Sequence, residues 1–276
     1  MQIHTSVSTL RSALAQAGKI AFAPTMGNLH AGHISRMQQA RNYGDCVVAS
    51  IFVNRLQFGP REDFDKYPRT FEADCQKLRD AGVEHLFAPD ESVLYPTPQQ
   101  YFVTPPDEHD SILEGAVRPG HFRGVATVVS KLFNIVQPAA ALLGKKDYQQ
   151  LMVIRNMVRE LNMPIEIVGC ETIRAADGLA LSSRNGYLSS DARIEAPRLF
   201  QQLQVIAQAI DEGRRDFAEL ESAAHEHLRE HGWQPDYVAI RRRSDLLAPS
   251  SDDNALVIVA AAKLESTRLL DNLEVG

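Results

Sequence analysis

The segment Pro24-Thr25-Met26-Gly27-Asn28-Leu29-His30-Ala31-Gly32-His33 follows an apolar run at residues 20–23. A strand, a tight turn and a helix are predicted in that order, because apolar residues return at helical spacing after His33. Unpaired N–H groups and the positive end of the helix dipole meet at such a helix N-terminus, so the turn is a predicted anion site. Taken alone, the two histidines leave three alternatives open: a phosphate site, ordinary surface or capping residues, or zinc ligands.

Composition narrows the class of protein. With 276 residues and 44% hydrophobic side chains, the chain can bury a full core. The formal net charge of −6 argues against nucleic acid as a main partner, and the basic run Arg241-Arg242-Arg243 is interpreted as a solvated strand end. The three separated cysteines favour a reducing compartment, and no membrane-spanning run is predicted, so a cytoplasmic location is expected.

The order of apolar runs predicts an α/β fold with a Rossmann-like, doubly wound parallel sheet and a smaller C-terminal α+β domain. Predicted strands cover residues 20–23, 46–53, 84–87, 139–143 and 165–168, and predicted helices cover residues 6–18, 33–43, 72–81, 127–136 and 147–161. Residues 54–70 and 89–124 are predicted loops. Domain 1–174 is expected to bind nucleotide and small substrate, and domain 175–276 is expected to be a lid, with helices at 191–210 and 216–231 and strands at 237–241, 256–262 and 267–270.

Polar side chains collect where predicted strands end. Asn54 and Gln57 follow the strand at 46–53, where amides suit a small polar substrate, although capping of their own backbone is the alternative. The stretch Gly144-Lys145-Lys146-Asp147 opens the helix that carries Gln150. Lysines at a helix N-terminus oppose the dipole, so either a bound polyphosphate compensates them or both are merely solvated.

Two loops add further candidate groups. Ser182-Ser183-Arg184 offers hydroxyls and a guanidinium for phosphate, a weak signal unless a mobile domain brings it over a nucleotide and across a cleft from the histidines. The run from Arg118 to Val125 suits either a lid that contacts anions or a structural loop. No P-loop sequence is present, and no dinucleotide glycine motif follows the first strand.

Taken together, these motifs resemble those of the pantothenate synthetases, the pantoate:β-alanine ligases, within the wider nucleotidyl-transferase superfamily. The resemblance rests on the segment from Pro24 to His33, Phe52-Val53-Asn54 with Gln57-Phe58, Tyr67-Pro68-Arg69-Thr70, the run from Arg118 to Val125, Lys146-Asp147 with Gln149-Gln150, and residues 177–185. It extends to Thr267-Arg268-Leu269.

The resemblance implies an ATP-dependent ligase that forms pantoyl adenylate and pyrophosphate, and then pantothenate and AMP. It implies ATP contacts at Met26, Gly27, Asn28, Leu29, His30, Ala31, Gly32, His33, Gly144, Lys145, Lys146, Asp147, Ile173, Leu181, Ser182, Ser183 and Arg184. The implied catalytic residues are His33 as a proton donor, His30, Lys146 and Arg184. Gln57, Gln150 and Asn54 correspond to substrate-holding amides, with β-alanine beside Gln57. Mg²⁺ is expected with the phosphates, with Asp74 as a candidate ligand. A homodimer through the first domain is also expected.

Two residues depart from the family pattern. Arg55 replaces the usual proline after Phe-Val-Asn, and Lys145 replaces an acidic residue, which is expected to add positive charge near the phosphates. Two other functions are weighed as alternatives: a nucleotidyl-transferase that releases pyrophosphate without AMP, and a nucleotide-binding regulator without catalysis. An aminoacyl-tRNA synthetase-like function is disfavoured by size and charge.

Overall fold

The computed structural model describes residues 1–60 and 62–276. The predicted fold class is confirmed: a doubly wound α/β sheet is accompanied by a small antiparallel sheet with helices. The chain divides into two compact units. Unit 1 comprises Met1–Gly144 and Gln150–Cys170, and unit 2 comprises Lys145–Gln149 and Glu171–Gly276.

Unit 1 is built on a six-stranded parallel sheet. Its strands are β1 (Gln2–His4), β2 (Ile20–Thr25), β3 (Cys46–Ile51), β4 (His85–Phe87), β5 (Ala140–Gly144) and β6 (Glu166–Cys170). Their spatial order is β1-β4-β3-β2-β5-β6. Because β2 pairs with β3 on one side and with β5 on the other, the winding direction reverses at β2.

Helices cover both faces of this sheet. They are α1 (Val7–Leu14), α2 (Ala31–Ala40), α3 (Phe71–Asp80), α4 (Glu91–Leu94), α5 (Asp107–Asp110), α6 (Leu113–Val117), α7 (His121–Val136) and α8 (Tyr148–Glu160), with a 3₁₀ helix at Arg55–Gln57. Alternation along β2 places Phe22 in one core cluster, edge-on to Phe133 of α7, and Ala21 and Ala23 in the other, with Met37 of α2. Both faces of β2 are therefore buried, as its continuous apolar run predicts.

Unit 2 packs helices on a three-stranded antiparallel sheet. Its elements are a 3₁₀ helix at Ser183–Tyr187, helices α9 (Ser190–Glu195), α10 (Arg198–Asp211) and α11 (Phe217–Glu230), and strands β7 (Trp233–Arg242), β8 (Leu256–Leu264) and β9 (Thr267–Val275). Leu203 and Ile206 of α10 are fully buried with Ile258 of β8 in one apolar cluster. The apolar side of α10, which repeats every 3.6 residues, thus packs against the apolar face of the strand, which repeats every two residues.

Several predicted boundaries are wrong. The helix predicted to begin at residue 127 begins at His121, and the helix predicted at 191–210 is two helices, because Pro197 lacks the N–H group that would continue α9. The predicted loop 89–124 holds α4, α5 and α6, and the three-residue strand β1 has no sequence prediction. The predicted loop 54–70 includes residue 61, which lies outside the described residues. Across the part of the chain that is described, each helix is too short or too polar to span a bilayer.

Candidate active site

The turn after β2 lies where the winding of the parallel sheet reverses. In open α/β sheets, ligands bind beyond the carboxyl ends of the strands at such a reversal, because the loops on either side diverge and leave a crevice. The turn leads from Thr25 at the end of β2 into Ala31 at the start of α2. The topology of unit 1 therefore selects the same segment that the sequence singles out.

Side chains of β2 and α3 form hydrogen bonds with the backbone of this turn. Thr25 Oγ1 donates to Ser50 O at 2.7 Å and accepts from Gly27 N at 3.2 Å. The two oxygens of Asp74, on α3, accept from the backbone N–H groups of Asn28 and Leu29, each at 2.8 Å. Lys77 Nζ, one turn further along α3, donates to Leu29 O at 2.6 Å. These bonds satisfy polar backbone groups that would otherwise be exposed in a functional crevice.

The conformation of the turn requires a glycine. Gly27 has φ of +87°, and a Cβ there would lie 3.2 Å from both Asp74 Oδ2 and Ile51 Cγ2. Asn28 follows with φ of +49°, in the left-handed region that asparagine tolerates better than most residues. These two consecutive residues with positive φ turn the N–H groups of Asn28 and Leu29 toward the Asp74 carboxylate.

His30 and His33 close the turn as a reciprocal capping box on α2. His30 is the N-cap residue, and its Nδ1 accepts from Gly32 N at 3.2 Å, while His33 Nδ1 accepts from His30 N at 3.2 Å. The ring centroids lie 4.0 Å apart. Because Nδ1 accepts in both rings, the neutral imidazoles carry their protons on Nε2. The two histidines are therefore capping residues through Nδ1, which was one of the alternatives left open by the sequence. Because Nδ1 accepts, Nε2 carries the proton and is an N–H donor at a helix N-terminus.

Asn54, Gln57 and Met26 form a second polar contact group in unit 1. Asn54 is 1% exposed, and its Nδ2 donates to Gln57 Oε1 at 3.1 Å and to Gly124 O at 3.2 Å, while its Oδ1 accepts from Tyr95 Oη at 2.8 Å. Gln57 Nε2 contacts Met26 Sδ at 3.2 Å. A thioether is a weak acceptor, so a polar substrate can replace it. Asn54 therefore orients Gln57 and has its own amide fully occupied.

His121 and Arg118 hold the backbone of Gln57. The His121 Nδ1–H group donates to Gln57 O at 2.8 Å, and Arg118 Nη1 donates to His121 Nε2 at 3.1 Å. Arg118 also forms two bonds to Glu62, at 2.6 and 2.7 Å. Burial and the Arg118 charge lower the pKa of His121 to about 4. Burial alone would raise the pKa of Glu62, but its hydrogen bond and ion pair with Arg118 lower it below the usual value.

These contacts decide between the alternatives for the run from Arg118 to Val125. Arg118 and His121 have hydrogen-bond partners within the fold, and the Arg123 guanidinium lies 4.7 Å from the ring centroid of Phe102. Gly124 serves packing, since a Cβ there would lie 2.2 Å from Leu56 O. Residues from His121 onward form α7, whose first turn therefore packs closely against the 3₁₀ helix at Arg55–Gln57. These contacts support a structural role for this run.

The unusual Arg55 is also engaged. Its guanidinium lies 4.0 Å from the ring centroid of Phe64 and 3.4 Å from Glu91. The side chain is more than half exposed, so its ion pair with Glu91 contributes little to stability. Arg55 is the first residue of the 3₁₀ helix that also carries Gln57.

In unit 2, Lys145 is neutralised by two carboxylates, contrary to the expected excess of positive charge. Its Nζ lies 2.6 Å from Glu171 and 2.9 Å from Glu274, which also accepts from Tyr148 Oη at 2.7 Å. Burial lowers the pKa of Lys145, but the hydrogen bonds to both glutamates outweigh burial, and the net shift is upward. Glu171 and Glu274 thus compensate the charge of Lys145.

Asn272 fixes the backbone of the two lysines. Its Nδ2 donates to Lys145 O at 2.9 Å and to Lys146 O at 2.8 Å, and the side chain is buried. Among the residues that the structure describes, no carboxylate forms a salt bridge with the Lys146 ammonium. Of the two lysines, Lys146 is therefore the one with a charge left for an anion. Gly144 ends β5, Asp147 is exposed, and Gln150 lies in the first turn of α8.

The segment from Ile173 to Arg184 is held in a hairpin-like loop of unit 2. Leu181 N donates to Ile173 O at 2.9 Å, and Arg174 and Ala180 form an isolated antiparallel bridge. Ser182 caps the following 3₁₀ helix, its Oγ accepting from Arg184 N at 3.2 Å. Ser183 and Arg184 therefore lie in the first turn of this 3₁₀ helix, and their binding of phosphate stays a prediction.

Sequence reasoning missed the partners that hold these residues in place. It points to Asp74 only as a possible metal ligand, although both oxygens of Asp74 accept bonds within the protein, including one from Thr70 Oγ1 at 3.0 Å. Asn272 and Glu274 carry no sequence signal of their own. An acidic residue at the fourth position of a helix, as Asp74 is in α3, is the one local signal that could have drawn attention. The run from Arg241 to Arg243 is paired with acidic side chains, as expected for a strand end.

Comparisons with known proteins agree over the whole chain. A family model described as pantoate-beta-alanine ligase matches residues 2–274. The crystal structure of pantothenate synthetase from Thermus thermophilus shares 46% identity, with 99% of each chain covered and a TM-score of 0.95. The pantoate-beta-alanine ligase of Francisella tularensis, solved in complex with beta-gamma ATP and beta-alanine, shares 35% identity over 99% of this chain and 97% of its own, with a TM-score of 0.79.

Proposed function

This chain belongs to the pantoate-beta-alanine ligase family, and on that premise we propose which residues carry out each step of its ATP-dependent condensation of pantoate with β-alanine. The observation that carries the assignment is the His30–His33 capping box at the reversal point of the sheet, in a chain that matches its relatives from end to end. An anion-binding helix N-terminus there suits the phosphates of ATP.

We propose that the reaction passes through pantoyl adenylate. A carboxylate oxygen of pantoate forms a bond to the α-phosphorus, and the bond from that phosphorus to the bridging oxygen breaks, so that pyrophosphate leaves with the electron pair. The β-alanine amine then attacks the acyl carbon, AMP leaves, and the amine loses a proton. The complex of the Francisella tularensis relative with beta-gamma ATP and beta-alanine supports this choice of substrates.

His33 and His30 are proposed to stabilise charge on the reacting phosphates. Nδ1 of each ring is held by a backbone N–H group, so the donor of each ring is Nε2–H. Such donors help where negative charge develops in the transition state, and removing one typically lowers the rate by about 10²-fold or more. Met26, Gly27, Asn28, Leu29, Ala31 and Gly32 are proposed to line the ATP site through the turn.

Lys146 and Arg184 are proposed as the cationic catalytic groups of unit 2, with Ser182 and Ser183 as phosphate-binding hydroxyls. The support is the pairing of Lys145 with Glu171 and Glu274, which leaves Lys146 as the lysine whose charge the described carboxylates do not compensate. Gly144, Lys145, Asp147, Ile173 and Leu181 are also proposed to contact ATP, Ile173 through its backbone. From the family resemblance we also propose that residues 1–174 bind nucleotide and pantoate and that residues 175–276 form the smaller second domain.

Gln57 and Gln150 are proposed to bind pantoate, with β-alanine beside Gln57. The support is the weak contact of Gln57 Nε2 with a thioether, which a hydroxyl or carboxylate can displace. Asn54 is proposed to act through Gln57, since its amide is fully used by protein partners. Its role is to orient a substrate-binding group.

Mg²⁺ is proposed to bind with the ATP phosphates and not in a carboxylate cage of the protein. Asp74, the candidate ligand, gives its oxygens to three protein donors. Mg²⁺ commonly keeps several waters and takes its remaining ligands from phosphate oxygens. When bound there, it would neutralise charge on the departing pyrophosphate.

A cytoplasmic homodimer is proposed. Three buried thiols fit a reducing compartment. The dimer, through the first domain, is proposed from the family resemblance. Light scattering with size-exclusion chromatography tests this, and a monomeric mass at micromolar concentration would exclude the dimer.

One assay tests the function directly. AMP release is measured with ATP and Mg²⁺, adding pantoate and β-alanine singly and together, and it should require both. Pantoate-dependent exchange of pyrophosphate into ATP isolates the first half-reaction, and His33→Ala and Lys146→Ala should each lower it by about 10²-fold or more. Lys19→Ala, at an exposed residue, is the control. Pyrophosphate release without AMP would identify a nucleotidyl-transferase instead, and near-normal exchange in a variant would remove that residue from the catalytic set.

A further inference from the structure

The C-terminal end of α11 carries a group of side chains that the ligase reaction does not use. His227, Glu230 and His231 stand at positions i, i+3 and i+4, so they share one face of the helix. Their ligand atoms lie within 4.8 Å of one another. Among the residues that the structure describes, this is the one group of three or more histidine, cysteine or acidic side chains that meets this distance.

The hydrogen bond of His231 prepares it as a metal ligand. Its Nδ1 lies 2.7 Å from the carbonyl oxygen of His227. A carbonyl oxygen only accepts, so Nδ1 carries the proton in the neutral ring and Nε2 keeps its lone pair. Metal-binding histidines characteristically donate their other N–H to a carbonyl or carboxylate, which fixes the tautomer and the ring orientation.

The two imidazoles are already close together. Their centroids lie 4.3 Å apart with an interplanar angle of 33°. Because the rings are held side by side over one helical turn, little side-chain freedom is lost when both turn toward one ion. Glu230 is exposed and adds a negative charge between them in sequence.

The charges around His227 also permit a cation. Its Nε2 lies 3.3 Å from Arg198 Nη1, near the long end of the hydrogen-bond range, so its loss costs little. Arg198 is paired with Glu195, which also accepts from Trp233 Nε1 at 3.0 Å. A metal ion at His227 therefore meets a compensated guanidinium and not an isolated positive charge.

We propose that His227, Glu230 and His231 bind a divalent transition metal ion of the zinc type. Two imidazole nitrogens and one carboxylate oxygen suit Zn²⁺, Ni²⁺ or Cu²⁺, and do not suit Mg²⁺ or Ca²⁺, which prefer oxygen ligands alone. Water completes the coordination of an exposed site. The spacing His-x-x-Glu-His places all three ligands on one helix face, so the ion would link the last turn of α11 to the residue after it.

Zinc competition tests the proposal on the full-length protein. Zn²⁺ is titrated against a chromogenic chelator with the parent protein, His231→Gln and the matched control His225→Gln, which changes a histidine on another face of the same helix. Loss of a hydrogen-bond partner of a metal ligand weakens metal affinity about 10- to 100-fold. Loss of the ligand His231 itself should therefore weaken the affinity for one equivalent of Zn²⁺ by about 10-fold or more. His225→Gln should leave that equivalent unchanged.

A second readout is independent of the ligase activity. A metal that binds only the folded chain raises its stability, so Zn²⁺ should raise the thermal midpoint of the parent protein and of His225→Gln more than that of His231→Gln. Mg²⁺ at the same concentration should not reproduce the difference. Equal Zn²⁺ affinity and an equal midpoint shift in His231→Gln and the parent protein would overturn the proposal. Circular dichroism without metal verifies that all three proteins are folded.

Discussion

Replacing Asp74 by asparagine should loosen the turn between β2 and α2, which is proposed to bind ATP. The carboxylate is 1% exposed and accepts from the N–H groups of Asn28 and Leu29 and from Thr70 Oγ1. The substitution Asp74→Asn keeps the shape of the side chain but replaces one acceptor oxygen by an NH₂ group. One backbone N–H group then faces another donor, and the second N–H group bonds to a neutral oxygen.

The magnitude follows from these two changes. A buried donor left without an acceptor costs about 1–3 kcal/mol, and the change from a charged to a neutral acceptor weakens the other bond by about 1 kcal/mol. The hydroxyl of Thr70 can rotate to a new partner and adds little. We therefore expect Asp74→Asn to lower the free energy of unfolding by about 2–4 kcal/mol, less than the total stability of a typical domain.

The same change should affect catalysis more than stability alone predicts. In the proposed mechanism the turn positions His30 and His33 for the reacting phosphates, and a shift of about 1 Å in such a group costs about 10²-fold in rate. Pantoate-dependent exchange of pyrophosphate into ATP should fall by that factor at a temperature where the variant is fully folded.

Urea unfolding and the exchange assay are compared in Asp74→Asn and in Asp80→Asn. Asp80 lies on the same helix, is exposed, and among the described residues its side chain bonds only to Gln76, so its change should stay within about 0.5 kcal/mol. Unchanged stability together with unchanged exchange in Asp74→Asn would refute the claim that this carboxylate organises the turn.

Acid should destabilise the protein through His121, whose pKa is lowered from 6.5 to about 4 in the folded chain. The free energy of unfolding that the neutral His121 contributes is fully present above pH 6.5 and is lost as the pH falls toward 4, by about 3 kcal/mol in total. The free energies of urea unfolding at about pH 7 and about pH 5 should therefore differ less in His121→Gln than in the parent protein. Gly124→Ala should raise KM for pantoate and lower stability by about 1–3 kcal/mol, because its Cβ meets a backbone carbonyl at 2.2 Å, while Gly186→Ala, with open space around it, should leave both unchanged. In Glu274→Gln, Lys145 keeps only one of its two carboxylates, and we expect KM for ATP to change about tenfold or less while KM for pantoate stays constant; equal changes in both constants would contradict this.

The sequence by itself predicted the fold class, which is confirmed, and its motifs, with the family they resemble, suggested the candidate site residues. Apolar runs bounded by glycine and proline predict the central strands, because burial on both faces requires continuous hydrophobic residues. The segment from Pro24 to His33 carries its own turn and helix signals within ten residues. Local signals of this kind act over one or two turns of chain, and the sequence records them directly.

Short and exceptional elements were beyond that local evidence. Strand β1 has three residues, of which only His4 is buried, so it shows no period. The first turn of α7 contains His121 and a buried glycine, which resemble loop residues although tertiary contacts bury them. The break at Pro197 could have been predicted, since proline disfavours continuation of a helix.

Only the tertiary structure decided what holds the candidate groups in place. Asp74 reaches a turn 46 residues earlier, His121 reaches a carbonyl 64 residues away, and Asn272 reaches the backbone of Lys145 across 127 residues. Side chains so distant in sequence meet because the sheet and its helices bring their elements together, and no local period encodes that meeting. The sequence thus identifies the two histidines of the turn. The tertiary structure determines which ring nitrogen of each carries the proton and which backbone N–H groups bond to the other.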